Sequence, residues 1–217
     1  MASRYEPLAI LHGHGISVCL WGEDALVYYK VPTVVFETYV FVADQDLNRA
    51  SEILRACDGY EQSPPDEKEM RTIAFRQIFR KYWAHRFMGP WSNMTGLQLL
   101  PTQEFAYFTI NEHTIIAKGP CLYPKLGAFI EALVKKFVEP TEVQGELAYC
   151  GHTRIYLAYL SDSATERYAV LDTLSPRAHR VWKDRLDQKL AVGEDGRKMH
   201  REIEDVRRYV YVYCGIS

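Results

Sequence analysis

The sequence predicts an α+β protein, with a mixed α/β sheet flanked by helices and a mainly helical C-terminal part. Two apolar runs rich in β-branched and aromatic residues, Ile16 to Trp21 and Val34 to Val42, predict buried strands. Apolar residues at helical spacing follow them. Beyond residue 140 the pattern is mostly helical, although the final YVYVYC fits either helix or strand. We therefore expect an α/β core over residues 1–140 and a helical region over residues 141–217 packed on it.

Composition narrows the class of protein further. The 217 residues are 47% apolar and 25% charged, which is ordinary for a globular chain. The net charge of -2 gives no bulk attraction to nucleic acid or to a membrane. No apolar run is long enough to span a bilayer, no secretory signal is evident, and the five cysteines form no CxxC pair. These features lead us to expect a soluble, reduced, cytoplasmic protein.

Glycine and proline divide the first part of the chain into short elements. Pro7 to His12 predicts a helix that ends at the glycines after it. Gly22 ends the first strand. Glu23 to Lys30 predicts a short helix, because acidic residues in its first turn suit the helix dipole. Val31-Pro32 ends that helix and leads into the second strand.

Helical patterns dominate the remainder of the sequence. The predicted helices are Asp44 to Cys57, a stretch from Asp66 to about Phe87, one opened by Tyr123-Pro124, Val143 to Leu160, one running from Ser175-Pro176 to Gly193, and a last one from Met199. The Ser-Pro pair is a typical cap and first-turn signal. Further strand candidates are Leu97 to Leu100, Phe105 to Ile110 and Thr114 to Ala117.

The most informative segment is LWGEDALVYYKVPTVVFETYVFV, residues 20–42. Its order is strand, glycine turn, short helix, Val-Pro-Thr, strand, and a helix follows. In this order it resembles the nucleotidyltransferase-like superfamily, the fold of DNA polymerase beta and of minimal nucleotidyltransferases. It is similar in particular to a set of fungal proteins of mostly unassigned function that share the WGEDAL opening. The resemblance covers about the first 140 residues and implies a nucleotidyltransferase-like mixed sheet flanked by helices.

The resemblance also implies where a site would lie. In that superfamily a turn glycine opens a short helix, and the next strand presents two carboxylates as Asp-x-Asp. Alternate strand residues point to the same side, so such a pair can hold two divalent ions about 4 Å apart. By resemblance, Gly22, Glu23 and Asp24 are the nucleotide-binding residues and Glu37 is the catalytic carboxylate.

The carboxylates of this chain depart from that pattern. The strand pair falls on Glu37 and Tyr39, or on Val35 and Glu37, and either register leaves one acid. A third acid is expected from Leu97 to Leu100, which offers Gln98 instead. The sequence therefore lacks the carboxylate set that a two-metal site requires.

Two functional hypotheses follow from this deficit. The first is a non-catalytic or repurposed protein that holds no metal and binds a nucleotide or a protein partner. Glu23 favours it, because its charge would repel a phosphate where the superfamily has a small residue. The alternative is an active Mg²⁺-dependent nucleotidyltransferase with displaced ligands, which combines Glu37 with Glu23 or Asp24.

A basic stretch suggests a third function, binding of RNA or phosphate. The predicted helix after Asp66 carries Arg76, Arg80 and Lys81, and no acid lies between Arg71 and Arg86. A solvated face balanced by the acidic loop before it explains the same pattern.

Two smaller motifs have structural explanations that we favour. His12-Gly13-His14-Gly15 offers two metal ligands without a third, and a turn between helix and strand accounts for it. Cys150 and His152 are two residues apart and point to different faces of a helix, so we expect them to fill space rather than to act as nucleophile and base.

Overall fold

The computed structural model describes residues 3–35, 37–63, 80–90, 96–102, 108–119, 121–138, 144–164 and 166–190. Over these residues the predicted mixed α/β class is confirmed. The helices are α1 (Glu6–Gly13), α2 (Glu23–Tyr28), α3 (Leu47–Ala56), α4 (Leu126–Val138), α5 (Gln144–Ser163) and α6 (Pro176–Leu190). The strands are β1 (Val18–Trp21), β2 (Thr38–Val42), β3 (Glu61–Gln62), β4 (Arg86–Met88), β5 (Leu97–Pro101), β6 (Ile115–Lys118) and β7 (Cys121–Pro124).

Five of the strands form one mixed sheet in the order β1-β2-β5-β4-β3. β2 lies between an antiparallel neighbour, β1, and a parallel neighbour, β5. β4 and β3 extend the sheet by antiparallel pairing. β6 and β7 form a separate antiparallel pair. The end of β1 and the beginnings of β2 and β5 therefore meet at one edge of the sheet.

Both faces of β1 and β2 are buried, which explains the uninterrupted apolar runs of these strands. On one face Trp21 and Phe41 stack with ring centroids 4.4 Å apart. Buried side chains of α4, α5 and α6, among them Trp182, belong to the same core cluster. On the other face the alternate residues of these strands pack with α1 and α3. The C-terminal helices thus share a core with the sheet, and the division at residue 140 stays a prediction.

The end of α1 explains the His-Gly-His-Gly motif. The amide of Ile16 donates to Leu11 O, and the amide of Gly15 donates to His12 O, which is the Schellman arrangement. Gly15 adopts φ +74, where glycine is favoured. Both histidines of the motif are exposed beside this turn. The described residues contain no group of three or more His, Cys, Asp or Glu side chains placed to hold a metal ion.

α2 ends in the same way, but without glycine. The amide of Val31 donates to Leu26 O and the amide of Lys30 donates to Val27 O. Lys30 occupies the left-handed position with φ 65. The buried side chains of Leu26 and Val31 lie in one core cluster, which accompanies this motif.

Several predicted boundaries differ from the structure. The helix expected to reach Phe87 is wrong at its end, because Arg80–His85 forms a 3₁₀ turn and Arg86–Met88 is strand β4. Tyr123 and Pro124 belong to β7, and α4 begins after them. Pairing with a distant partner strand overrides local pattern in both cases. Most of the helix predicted from Asp66, most of the strand predicted at Phe105, and the stretch from Met199 lie outside the described residues.

No helix among the described residues has both the length and the apolar character needed to cross a bilayer.

Candidate functional site

The sheet edge where β1 ends and β2 and β5 begin carries three buried carboxylates. Glu23 and Asp24 open α2 directly after β1, and Glu37 immediately precedes β2. All three side chains are less than a tenth exposed. Burying three acids at one edge is costly unless each is paired or protonated, so their partners determine what this edge can do.

Gly22 makes the turn that brings Glu23 to this edge. Its backbone angles, φ 62 and ψ -131, favour glycine. A Cβ atom on it would lie 3.0 Å from Tyr39 Cδ2 and 3.1 Å from the Tyr156 hydroxyl. The residue predicted as the turn glycine is therefore fixed both by its conformation and by close packing between β2 and α5.

Glu37 is paired with a buried arginine. Arg86 Nε donates to Glu37 Oε1 at 2.6 Å, and each side chain is 3% exposed. A second nitrogen of the guanidinium, Nη1, donates to Ser63 O at 2.7 Å. This charge-assisted bond pairs the carboxylate from within the protein. Glu37 lies just before β2 and not within the strand predicted from Val34 to Val42, because β2 begins at Thr38. Arg86 was expected near the end of a basic surface helix, and it lies instead in the interior of the sheet.

Asp24 is paired from the segment that precedes α1. Arg4 Nη2 and the Tyr5 hydroxyl both donate to Asp24 Oδ1, each at 2.7 Å. Burial raises the pKa of Asp24, and Arg4, Tyr5 and the nearby Thr38 hydroxyl oppose that rise. The second acid of the WGEDAL motif therefore also has an internal counter-ion.

Glu23 differs from the other two carboxylates because, in the part of the chain that the structure describes, the groups that perturb its pKa most include no cation. Burial raises its pKa to about 7, while its own backbone amide and the Tyr156 hydroxyl hydrogen-bond to the carboxylate and limit the rise. The charges of Asp24 and Glu37 act in the same direction as burial. Near neutral pH this carboxyl group is thus held between its protonated and ionised forms.

Gln98 occupies the position where a third acid was expected. Its backbone pairs with Tyr39 on one side and with Arg86 on the other. Its side-chain amide donates to Tyr82 O at 2.6 Å. An amide in this role fixes neighbouring backbone and adds no negative charge to the edge.

The structure therefore brings together the predicted residues Gly22, Glu23, Asp24 and Glu37, but with partners that sequence reasoning missed. These partners are Arg4, Tyr5, Arg86 and Tyr156. No sequence spacing signals such contacts, because the two ion pairs join residues 20 and 49 positions apart and the two tyrosines are also distant in sequence from the acids they contact. As arranged here, two of the three carboxylates at this edge, Asp24 and Glu37, form ion pairs within the protein.

The other predicted sites lie partly or wholly outside the side chains that the structure describes. Arg76 lies outside the described residues, while Arg80 and Lys81 belong to the 3₁₀ turn, where their side chains are not described. The RNA or phosphate patch therefore stays a prediction. Cys150 and His152 lie within α5, and their side chains are likewise not described.

Comparison with models of protein families, with curated protein sequences and with solved structures finds no match to the chain.

Proposed function

We propose that the chain is a nucleotidyltransferase-like protein without a working metal centre, which acts by binding a nucleotide or a protein partner. The observation that carries the proposal is the buried ion pair between Glu37 and Arg86. Glu37 is the one residue of the strand pair that retains a carboxylate in either register. In this protein Oε1 of that carboxylate accepts a bond from a guanidinium.

The cost of displacing these partners opposes metal binding. Mg²⁺ demands near-ideal octahedral geometry and keeps several waters. If Glu37 gave up Arg86 in order to ligate the ion, the arginine would become an uncompensated buried charge, which costs about 3 to 5 kcal/mol. Asp24 would have to give up Arg4 and Tyr5, its two hydrogen-bond donors. Glu37 and Asp24 are therefore already used in ion pairs within the fold, whereas no cation is among the main groups that perturb Glu23 in the described part of the chain.

The resemblance in residues 20–42 supports the scaffold assignment within this proposal. The strand, glycine turn, short helix and second strand occur as β1, Gly22, α2 and β2, and α3 follows. A scaffold that keeps its turn and pairs its acids internally is consistent with a role in binding rather than in catalysis.

A direct test measures metal binding and transfer on the same preparation. Isothermal titration with Mn²⁺, and with each nucleoside triphosphate with and without Mg²⁺, is expected to show no metal-dependent binding. Incubation with a radiolabelled triphosphate and Mg²⁺ is expected to leave no label on protein or RNA. If a nucleotide binds equally tightly with and without Mg²⁺, the ligand is a nucleotide and its binding needs no metal centre.

One observation favours the alternative of an active transferase with displaced ligands. Glu23 lies close enough to Asp24 and Glu37 for their charges to raise its pKa. That alternative predicts Mg²⁺-dependent label transfer that Glu37→Gln abolishes while the melting temperature is unchanged. Such a result would refute the proposal, because Glu37→Gln breaks a buried ion pair and is expected to lower the melting temperature.

A further inference from the structure

Arg4 and Asp24 form an ion pair whose two side chains are buried to different degrees. The side chain of Asp24 is 1% exposed, whereas that of Arg4 is 28% exposed. The carboxylate is thus a fixed part of the interior, and the guanidinium reaches it from the surface. A group bound in this way can leave without unfolding the residues that bind it.

The carboxylate of Asp24 has more capacity than Arg4 uses. Arg4 and Tyr5 both donate to the same oxygen, Oδ1. Within the described residues, neither Asp24 Oδ2 nor the Thr38 hydroxyl oxygen makes a hydrogen bond of normal geometry, although both are buried and the hydroxyl is close enough to oppose the rise in the pKa of Asp24. Burial still raises the pKa of Asp24 despite the groups around it. Arg4 therefore pairs with one oxygen of the carboxylate, although a guanidinium can pair with both oxygens.

The segment that carries Arg4 is held by its own neighbours and by Tyr5, which packs against the core and donates from its hydroxyl to Asp24. The amide of Glu6 donates to Ser3 O, and the amide of Tyr5 donates to Ser3 Oγ. The Arg4 guanidinium also lies over the Tyr5 ring, 4.7 Å from its centroid. Swinging the Arg4 side chain outward needs rotation of a long, flexible chain and leaves α1 in place.

We propose that Asp24, Tyr5 and Thr38 form a guanidinium-binding site, which Arg4 fills in the free protein and an arginine side chain of a partner protein fills in the complex. The inference rests on the proposed binding function and names the chemistry of its partner. Arginine fits better than lysine, because its planar fork matches a carboxylate and its face stacks on an aromatic ring.

Arg4 competes with any added guanidinium compound for Asp24, and this competition determines how binding at the site can be detected. A group tethered next to its site acts at an effective concentration in the millimolar range, so a free small guanidinium compound cannot displace it readily. Removing Arg4 leaves the same carboxylate open. The wild-type chain is then expected to ignore small arginine derivatives that an Arg4 variant binds.

The test is rescue of Arg4→Ala by a supplied guanidinium. We expect Arg4→Ala to melt below wild type, and N-acetyl-arginine amide at saturating concentration to raise its melting temperature by about 2 to 4 °C. The same concentration of N-acetyl-lysine amide should raise it less. The double variant Arg4→Ala with Asp24→Asn should show no shift with either compound. If Arg4→Ala does not fold, Arg4→Gln is used instead, and a smaller shift in the same direction is expected because the glutamine amide competes for Asp24.

A matched control is Arg49→Ala. Arg49 also donates from its guanidinium, to His14 O at 3.0 Å, but it meets no carboxylate there. Rescue of this variant by N-acetyl-arginine amide would mean that the effect is not specific to Asp24. An equal shift in Arg4→Ala and in the double variant, or no shift in Arg4→Ala, would overturn the inference. Neither outcome alters the metal and label-transfer results that decide the proposed function.

Discussion

Gly96 and Glu37 approach so closely that a Cβ atom on Gly96 would lie 2.4 Å from Glu37 Oε1. The same atom would lie 2.8 Å from Arg86 Nε. The backbone of Gly96 also accepts the first sheet bond of β2, from the amide of Thr38, at 2.9 Å. The glycine before β5 therefore gives the buried ion pair its space and connects it to the sheet.

The substitution Gly96→Ala tests this contact. The added methyl group must displace Glu37 or Arg86, and we expect a loss of about 2 to 4 kcal/mol in the free energy of unfolding, measured by urea denaturation. Gly13→Ala is the control, because a Cβ atom at the end of α1 meets nothing within 4 Å. Equal stability of the two variants would show that the ion pair does not pack against Gly96.

A double-mutant cycle on Glu37 and Arg86 measures the pair itself. Arg86→Met and Glu37→Leu each leave one buried charge without its partner. Each is expected to lower the free energy of unfolding by about 3 to 5 kcal/mol. The variant carrying both changes should lose much less than the sum, because no charge remains buried. Additive losses would mean that the two side chains do not compensate each other.

The exposed pair of Lys183 and Asp187 provides the matched control for that cycle. Its side chains are about half exposed, although their charged atoms lie 2.5 Å apart. Water and salt screen such a pair, so we expect a coupling close to zero there. Added NaCl should leave the coupling between Glu37 and Arg86 almost unchanged.

The helix and strand pattern near the start of the chain was predictable because it is local. Gly22 broke the first strand where expected, and the period of α3 placed Leu47 and Leu54 in the core. The opposite happened at Arg86. An arginine in a basic stretch favours a surface helix, but pairing with β5 and with Glu37 made it part of a buried strand.

The candidate site was predictable in position and not in chemistry. The resemblance directed attention to Glu23, Asp24 and Glu37, and these three do lie near one sheet edge. Their partners come from the segment before α1 and from β4, and contacts at such sequence distances leave no periodic signal. Whether an acid binds a metal or a guanidinium depends on those distant partners.

Lys30 offers a prediction about backbone conformation. Lys30 lies at the end of α2 and adopts the left-handed region with φ 65. The equivalent position at the end of α1 is occupied by Gly15, with φ 74. A side chain there costs about 1 kcal/mol, so Lys30→Gly should raise the free energy of unfolding by about 0.5 to 1 kcal/mol. Gly15→Ala should lower it by about 1 kcal/mol. A destabilised Lys30→Gly variant would instead reveal a stabilising contact of the lysine side chain.

Glu23 leads to a prediction about pH. Its pKa is about 7 in the folded protein and 4.5 in the reference state, so the folded state holds the proton more tightly. The contribution of Glu23 to stability is therefore expected to fall as pH rises from about 4.5 to about 7, and then to level off. The full change is about 3 kcal/mol, since each pKa unit is worth about 1.4 kcal/mol.

The substitution Glu23→Gln removes this titration while keeping a polar group beside Tyr156. We expect the difference in unfolding free energy between Glu23→Gln and wild type to grow steadily in favour of the variant between pH 4.5 and pH 7. Urea denaturation at half-unit pH steps measures it, and subtraction cancels the other acids. Glu52→Gln, on the exposed face of α3, is the control and should give a flat difference. A flat difference for Glu23→Gln as well would mean that Glu23 is ionised throughout and that a cation or water compensates its charge.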